Sequence, residues 1–92
     1  MLKTRMYYVY VLKSKKDGSF YTGCTGDLER RISEHNSGLQ DSTRSRAPLE
    51  IIYYECCIDK ADAIVREKYL KSGVGKKFIA QRLKYYLKKN DI

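Results

Sequence analysis

The sequence contains no tryptophan, a single proline and only three cysteines among its 92 residues. Cys56 and Cys57 are adjacent and Cys24 lies alone, so neither a disulfide framework nor a C-x-x-C metal site is indicated. A long apolar run is also lacking. The stretch over residues 6–12 is far shorter than the ~20 residues of a membrane span, and no small-residue cleavage site follows it. These absences predict a cytoplasmic protein with reduced thiols and no membrane partner.

Positive charge is in excess, and the excess lies in the last third of the chain. The formal net charge is +8; residues 1–59 hold nine Lys and Arg against eight Asp and Glu, whereas residues 60–92 hold ten against three. This asymmetry is typical of proteins that bind a polyanion, with nucleic acid as the first candidate. The alternative is a solvated, lysine-rich helix face without a partner. The length favours one domain over residues 1–92.

Hydrophobic periodicity predicts three strands and three helices. Strands are expected over residues 6–13, 20–24 and 49–57, and the continuous apolar run of the third predicts a central position in the sheet. Helices are expected over residues 27–38, 59–73 and 76–89, with Asp27 and Asp59 as N-caps and with Gly38 and Gly73 as C-terminal stops. The order β-β-α-β-α-α predicts an α+β fold, a three-stranded antiparallel β-sheet flanked by three helices.

Tyr10 and Tyr21 flank the loop of the first hairpin, and the length of that loop decides how close they come. A two-residue turn at Asp17-Gly18 would leave the two phenols on one face but four residues apart along the strand, roughly 13 Å. A wider loop over Ser14–Gly18 would bring them directly opposite each other. We favour the wider loop.

Two polar side chains share an apolar stripe on the first predicted helix. Leu28, Arg31, Ile32 and His35 follow the spacing of a core-facing stripe. Arg31 could reach solvent from the edge of that stripe or pair with an acidic neighbour on the same helix. Alternatively, Arg31 and His35 line a cleft over the sheet in which an anion binds.

Glu67 poses the same question on the second predicted helix, where its neighbours one turn away are apolar. One interpretation is an ion pair with Lys71, four residues later, worth only ~0.3–0.5 kcal/mol. The other is a single carboxylate that holds a hard cation such as Mg²⁺, with water and phosphate supplying most other ligands.

Phosphodiester hydrolysis requires groups of these kinds. A base takes a proton from water, a cation offsets charge on the phosphoryl oxygens, and a metal ion supports the leaving oxygen. A tyrosine with a pKa near ~10 is a poor base at neutral pH. It becomes useful only where cations, or a hydrogen bond to His35, favour the phenolate.

The sequence resembles the GIY-YIG nuclease domains over about residues 6–80. The two name-giving motifs correspond to Tyr8-Val9-Tyr10 and, after ten further residues, Tyr21-Thr22-Gly23. Arg31 follows in a D-L-E-R-R helix, His35-Asn36 matches the helix end of these domains, and the segment REKYLK around Glu67 resembles their metal-binding segment. The likeness is greatest to small stand-alone bacterial members. It implies the sheet described above, one Mg²⁺ and hydrolysis of a DNA strand.

The resemblance also assigns roles. Tyr10 is implied as the general base and Tyr21 as the group that orients the water or a phosphate oxygen, although the sequence does not separate these two roles. Arg31 is implied to stabilise the developing charge, Glu67 to hold the metal, and His35 to hydrogen-bond a tyrosine or a phosphate. Tyr8 and Thr22 depart from the family motif, and Tyr8 could crowd the site or stack on a base.

The leading hypothesis is therefore a Mg²⁺-dependent endonuclease that cleaves DNA with low sequence specificity. The alternative is a nucleic-acid-binding module that cleaves little or nothing, and a protein-interaction domain is a third, weaker reading. RNA as a substrate and a protein partner that supplies specificity both stay open, and no small-molecule cofactor is expected. The side chains expected to contact nucleic acid are Arg30, Arg44, Arg46, Lys71, Lys76, Lys77, Lys84 and Lys88.

Overall fold

The computed structural model describes residues 5–89, which form a three-stranded sheet with helices on both faces. This is the predicted α+β fold, with one more helix than expected. The elements in chain order are β1 (Tyr7–Ser14), β2 (Phe20–Thr25), α1 (Leu28–Asn36), a 3₁₀ turn (Arg44–Arg46), β3 (Leu49–Cys57), α2 (Lys60–Lys71), α3 (Gly73–Arg82) and α4 (Lys84–Lys89). Asp27 and Asp59 cap α1 and α2 through their side chains, as predicted.

The sheet is antiparallel with the order β2-β1-β3, so β1 is the central strand. The prediction that β3 is central was wrong. Its apolar run has another cause: Ile52 is an extra residue in the β1–β3 register, and Ile51 and Ile52 pack into cores on opposite faces of the sheet. A strand that is covered on both faces requires apolar residues on both, whether or not it is central.

The two faces of the sheet carry separate cores. On the α1 face, Tyr10 and Leu12 of β1 pack with Leu49 against α1. On the α2/α3 face, Val9 and Val11 of β1 pack with three further aliphatic side chains, Ala63, Leu70 and Ile79. The alternation along β1 therefore places Tyr10 and Leu12 on the α1 face and Tyr7, Val9 and Val11 on the α2/α3 face, as its sequence indicates.

The register of the β1–β2 hairpin is intermediate between those of the two-residue turn and the wider loop that the sequence left open. Tyr21 is opposite Leu12, and Tyr10 is opposite Gly23, so the two phenols share the α1 face on a two-residue diagonal. The preferred wider loop was therefore wrong. The connection is held by Ser14, whose backbone N–H donates to Ser19 O at 2.8 Å and whose Oγ accepts from two loop N–H groups.

The predicted third helix is in fact two helices. It begins at Gly73 rather than after Gly75, because Ser72 ends α2 and also caps α3, its Oγ accepting from Gly75 N at 3.1 Å. Gly73 is thus the first residue of α3 and not the stop of α2. The helix then breaks at Leu83, and α4 carries Tyr86 to a hydrogen bond with Glu50 of β3. Within residues 5–89, no helix combines the length and apolarity that a membrane crossing needs.

Candidate active site

The two phenols meet above the edge strand β2. The rings of Tyr10 and Tyr21 lie 6.5 Å apart, and Tyr10 is only 2% exposed. The Tyr10 side chain crosses Gly23, where an added Cβ would collide with its hydroxyl. The bare backbone at Gly23 therefore lets the central strand present a phenol at the edge of the sheet.

His35 holds the Tyr10 hydroxyl from the other side. Nε2 of His35 lies 2.9 Å from Tyr10 Oη, and Nδ1 lies 2.6 Å from Thr43 Oγ1. Its ring is also 5.0 Å from that of Tyr21. Both His35 and Thr43 are 0% exposed, so each polar atom needs the partner it has. These three buried side chains and the half-buried Tyr21 form one cluster.

The two hydrogen bonds of His35 depend on each other. A neutral imidazole carries one proton, so it donates from one nitrogen and accepts at the other. When Nε2 accepts from the Tyr10 hydroxyl, Nδ1 carries the proton and donates to Thr43. Thr43 thereby supplies the acceptor for Nδ1–H in the tautomer in which His35 can receive a proton from Tyr10.

Burial and neighbouring charges keep this pair uncharged. Burial is the largest cause of a raised pKa for Tyr10; Tyr21 and Glu67 raise it further, and Arg31 opposes them. Burial, followed by Arg31, lowers the pKa of His35 below the ordinary 6.5. At neutral pH, Tyr10 therefore keeps its proton and His35 has room for one.

Arg31 and Glu67 both act on the same phenol, although they come from helices on opposite faces of the sheet. Arg31 is one turn before His35 on α1, and its side chain is 32% exposed. Glu67 is on α2, and besides Tyr10 it raises the pKa of Cys24, whose position on β2 belongs to the α2/α3 face. The structure brings Tyr10, Tyr21 and His35 into direct contact. Arg31 and Glu67 influence the Tyr10 phenol electrostatically.

Both side chains also form the ion pairs that the sequence left open. Arg31 Nε lies 3.8 Å from Glu34 Oε1, while Asp27 is engaged as the helix cap. Lys71 Nζ lies 3.0 Å from Glu67 Oε2. Exposed and half-exposed pairs of this kind contribute little, so they do not prevent either side chain from binding a ligand.

A divalent cation would have few protein ligands here. The part of the chain that the structure describes contains no group of three or more His, Cys, Asp or Glu side chains able to hold a metal ion. Glu67 is a lone carboxylate whose side chain is 20% exposed. One carboxylate supplemented by water and substrate phosphate suits Mg²⁺, which dehydrates reluctantly, so the residues present fit such an ion.

The predicted nucleic-acid-binding side chains fall into two groups. Arg44 and Arg46 hold loops together: Arg44 bonds to Asp41 and to Gly38 O, and Arg46 donates to Ser19 Oγ and to Ser42 O. Arg46 also lies over the Tyr21 ring, 5.8 Å from its centroid, which adds a cation beside the site. The remaining members are exposed and lie on α1 (Arg30), α2 (Lys71), α3 (Lys76 and Lys77) and α4 (Lys84 and Lys88).

Sequence analysis missed Thr43. The residue lies in a polar loop between α1 and β3, and nothing in its neighbourhood along the chain indicates burial. Only the position of His35 on the core side of α1 could have suggested that a second partner was needed for its other ring nitrogen.

Comparison with known proteins identifies the family of the chain. The family model described as the GIY-YIG catalytic domain matches residues 6–78, which include every residue of the cluster and exclude α4. The chain is 48% identical over 67 residues to a UPF0213 protein of Clostridium perfringens, covering 72% of this chain and 71% of the other. A UPF0213 protein of Bacillus pumilus is 44% identical over 72 residues, covering 77% and 72%.

A solved structure shares the fold. The solution NMR structure of a UPF0213 protein from Bacillus halodurans superposes with a TM-score of 0.52 at 37% identity, covering 83% of each chain.

Proposed function

Because the chain belongs to the GIY-YIG catalytic domain family, we propose that it is an endonuclease that hydrolyses phosphodiester bonds of DNA with low sequence specificity. Family membership implies a nucleic-acid substrate and the use of a divalent metal ion. The observation that carries the proposal is the hydrogen bond between the hydroxyl of Tyr10 and His35, with the Tyr21 ring packed beside both. Arg31 and Glu67 act electrostatically on the same phenol.

Tyr10 acts as the base through His35. Its raised pKa disfavours a free phenolate, so Tyr10 cannot wait in the charged form for a water molecule. Instead, Tyr10 Oη takes a proton from the attacking water while its own proton passes along the 2.9 Å hydrogen bond to His35 Nε2. The phenol stays neutral throughout, and the imidazolium that forms donates from Nδ1 to Thr43.

Tyr21 and Arg31 position and stabilise the phosphate. The Tyr21 ring packs beside both Tyr10 and His35, which supports a role for its hydroxyl in orienting the water or a phosphate oxygen. Arg31 offsets the charge that develops on the phosphoryl oxygens, which is the type of interaction that most lowers the barrier in such reactions. Its weak pair with Glu34 leaves it available.

Glu67 is the residue that would hold the metal ion. When bound, a divalent cation supplies Lewis-acid stabilisation of the phosphate and the leaving oxygen, and we propose Mg²⁺. The present partner of Glu67 is the ammonium group of Lys71. Lys71 is therefore placed to exchange Glu67 for a substrate phosphate as the site fills.

Plasmid nicking tests the proposal. We expect the intact protein to nick supercoiled DNA in Mg²⁺ and not in EDTA, and Glu67→Ala to lower the rate by about 10²–10³-fold, the usual effect of removing one electrostatic stabiliser. Glu29→Ala, at an exposed glutamate in the first turn of α1, is the matched control and should be unaffected.

A binding module without cleavage is the second candidate, and the exposed lysines of α3 and α4 favour it. The same plasmid assay separates the two. If the intact protein binds DNA but nicks neither duplex, branched nor single-stranded substrates, the nuclease proposal is wrong and the binding module stands.

A further inference from the structure

A groove lies on the opposite face of the sheet from Tyr10. It has a volume of about 600 Å³ and runs from the turn between β1 and β2 to the junction of α2 and α3. Aliphatic side chains of the core, including Val11 and Ile79, line its floor. The site described above does not use this groove.

Two residues connect the groove to the candidate active site. Tyr21 borders the groove and also contacts the rings of Tyr10 and His35. Lys71 borders the groove and binds Glu67 at 3.0 Å. A chain that crosses the edge of β2 at the active site therefore enters this groove next.

The lining of the groove favours a ligand that is flat and apolar at one end and anionic at the other. Phe20 is 37% exposed, and Lys71 and Lys76 supply the charge, while none of the described residues that line the groove is acidic. Nucleobases stack on aromatic side chains, and lysines bind phosphates. A groove of this volume is of the size that holds a small molecule, so it admits one or two nucleotides and not a duplex.

We propose that this groove binds an unpaired nucleotide next to the bond that is cleaved. A base stacks on Phe20 and its phosphate contacts Lys76. This inference rests on the proposed function and adds a substrate class, namely nucleic acid that is single-stranded or unpaired beside the cleavage site. Lys77, the next residue on α3, does not line the groove and provides a matched comparison.

Binding in EDTA tests the inference without any cleavage. The probe is a single-stranded DNA oligonucleotide that contains the fluorescent base 2-aminopurine, compared with the same strand in a duplex. We expect tighter binding of the single strand, and an about fivefold or greater loss of its affinity in Phe20→Ala, the range measured for a stacked base. Tyr85→Ala removes an exposed aromatic ring outside the groove and should leave affinity unchanged.

Salt dependence supplies the second measurement. Lys76→Gln should reduce the slope of log affinity against log salt by about 0.7, the contribution of one contact to a single strand, whereas Lys77→Gln should reduce it less. Equal salt slopes for Lys76→Gln and Lys77→Gln would overturn the proposal that the groove binds a nucleotide. Equal losses of affinity for Phe20→Ala and Tyr85→Ala would overturn it too. Neither result depends on nicking, so failure of the groove and failure of the nuclease proposal are distinguishable.

Discussion

The two faces of the sheet are packed by different chemistry. On the α2/α3 face, the fully buried side chains are all aliphatic. On the α1 face, a smaller apolar core surrounds buried polar groups, and each of these groups has a partner: Tyr10 with His35, His35 with Thr43, and Ser14 Oγ donating to Arg46 O at 2.6 Å. A buried polar network whose members are all hydrogen-bonded is rigid and fixes one geometry. The comparison indicates that one face stabilises the fold and the other positions the reacting groups.

Loss of the Tyr10 hydroxyl should have the largest effect. We expect Tyr10→Phe to lower nicking by about 10²–10⁴-fold, because the base is removed, while the free energy of unfolding falls by only about 1–2 kcal/mol for the lost hydrogen bond. Plasmid nicking and urea unfolding measure the two quantities.

Tyr54→Phe is the control for this variant. Tyr54 is opposite Tyr10 across the β1–β3 pair, and it is 54% exposed, so its hydroxyl should matter for neither quantity. If Tyr10→Phe and Tyr54→Phe nicked plasmid at the same rate, Tyr10 would not be the base.

The α2/α3 face should respond in the opposite sense. Leu70 is 1% exposed, and we expect Leu70→Ala to lower the free energy of unfolding by about 2–5 kcal/mol, from lost burial and the cavity that remains. Urea titration measures this loss. Leu39→Ala, at a leucine that is 69% exposed, should change stability by less than about 0.5 kcal/mol. A loss below about 1 kcal/mol in Leu70→Ala would show that stability is not concentrated on this face.

The aliphatic face was predictable from sequence because its pattern repeats. Alternation along β1, the N-caps of α1 and α2, and the order of the elements all follow from local residue preferences and were confirmed. The hairpin register was not predictable, because Ser14 and Asp17 stabilise a loop whose length no single motif fixes. The break at Leu83 was not predictable either, because the helical pattern of the sequence continues through this residue. Leu83 ends α3 and packs against the core.

The polar cluster was predictable only in part. The spacing of Arg31 and His35 placed both on the core side of α1, but an arginine on a stripe can serve structure or chemistry. Arg66 shows the structural case: its Nε and Nη2 donate to Glu55 at 2.9 Å, and its guanidinium lies 4.9 Å from the ring centroids of Tyr69 and Phe78. Whether an arginine serves structure or chemistry depends on its contacts with residues that are distant in sequence. Only the folded chain brings those residues together.

The pH dependence of cleavage gives the smallest and most specific prediction for the α1 face. His35 must be neutral to accept the proton of Tyr10, and its pKa is lowered below 6.5 by burial and by Arg31. Activity should therefore persist below pH 6.5 and then fall about tenfold per pH unit, once the pH drops below that pKa and His35 is protonated. An acid limb above pH 6.5 would contradict the proton transfer to His35.

Thr43→Val tests whether the acid limb of the pH profile depends on the hydrogen bond between His35 and Thr43. Without an acceptor for Nδ1–H, the imidazolium loses a charge-assisted hydrogen bond, so the pKa of His35 should fall further and the plateau rate should drop by about tenfold. Thr43→Ser keeps the hydroxyl and should restore both. If Thr43 merely fills space in the α1 face, Thr43→Val, which has nearly the same shape, would change neither the plateau rate nor the acid limb, and the buried cluster would then end at His35.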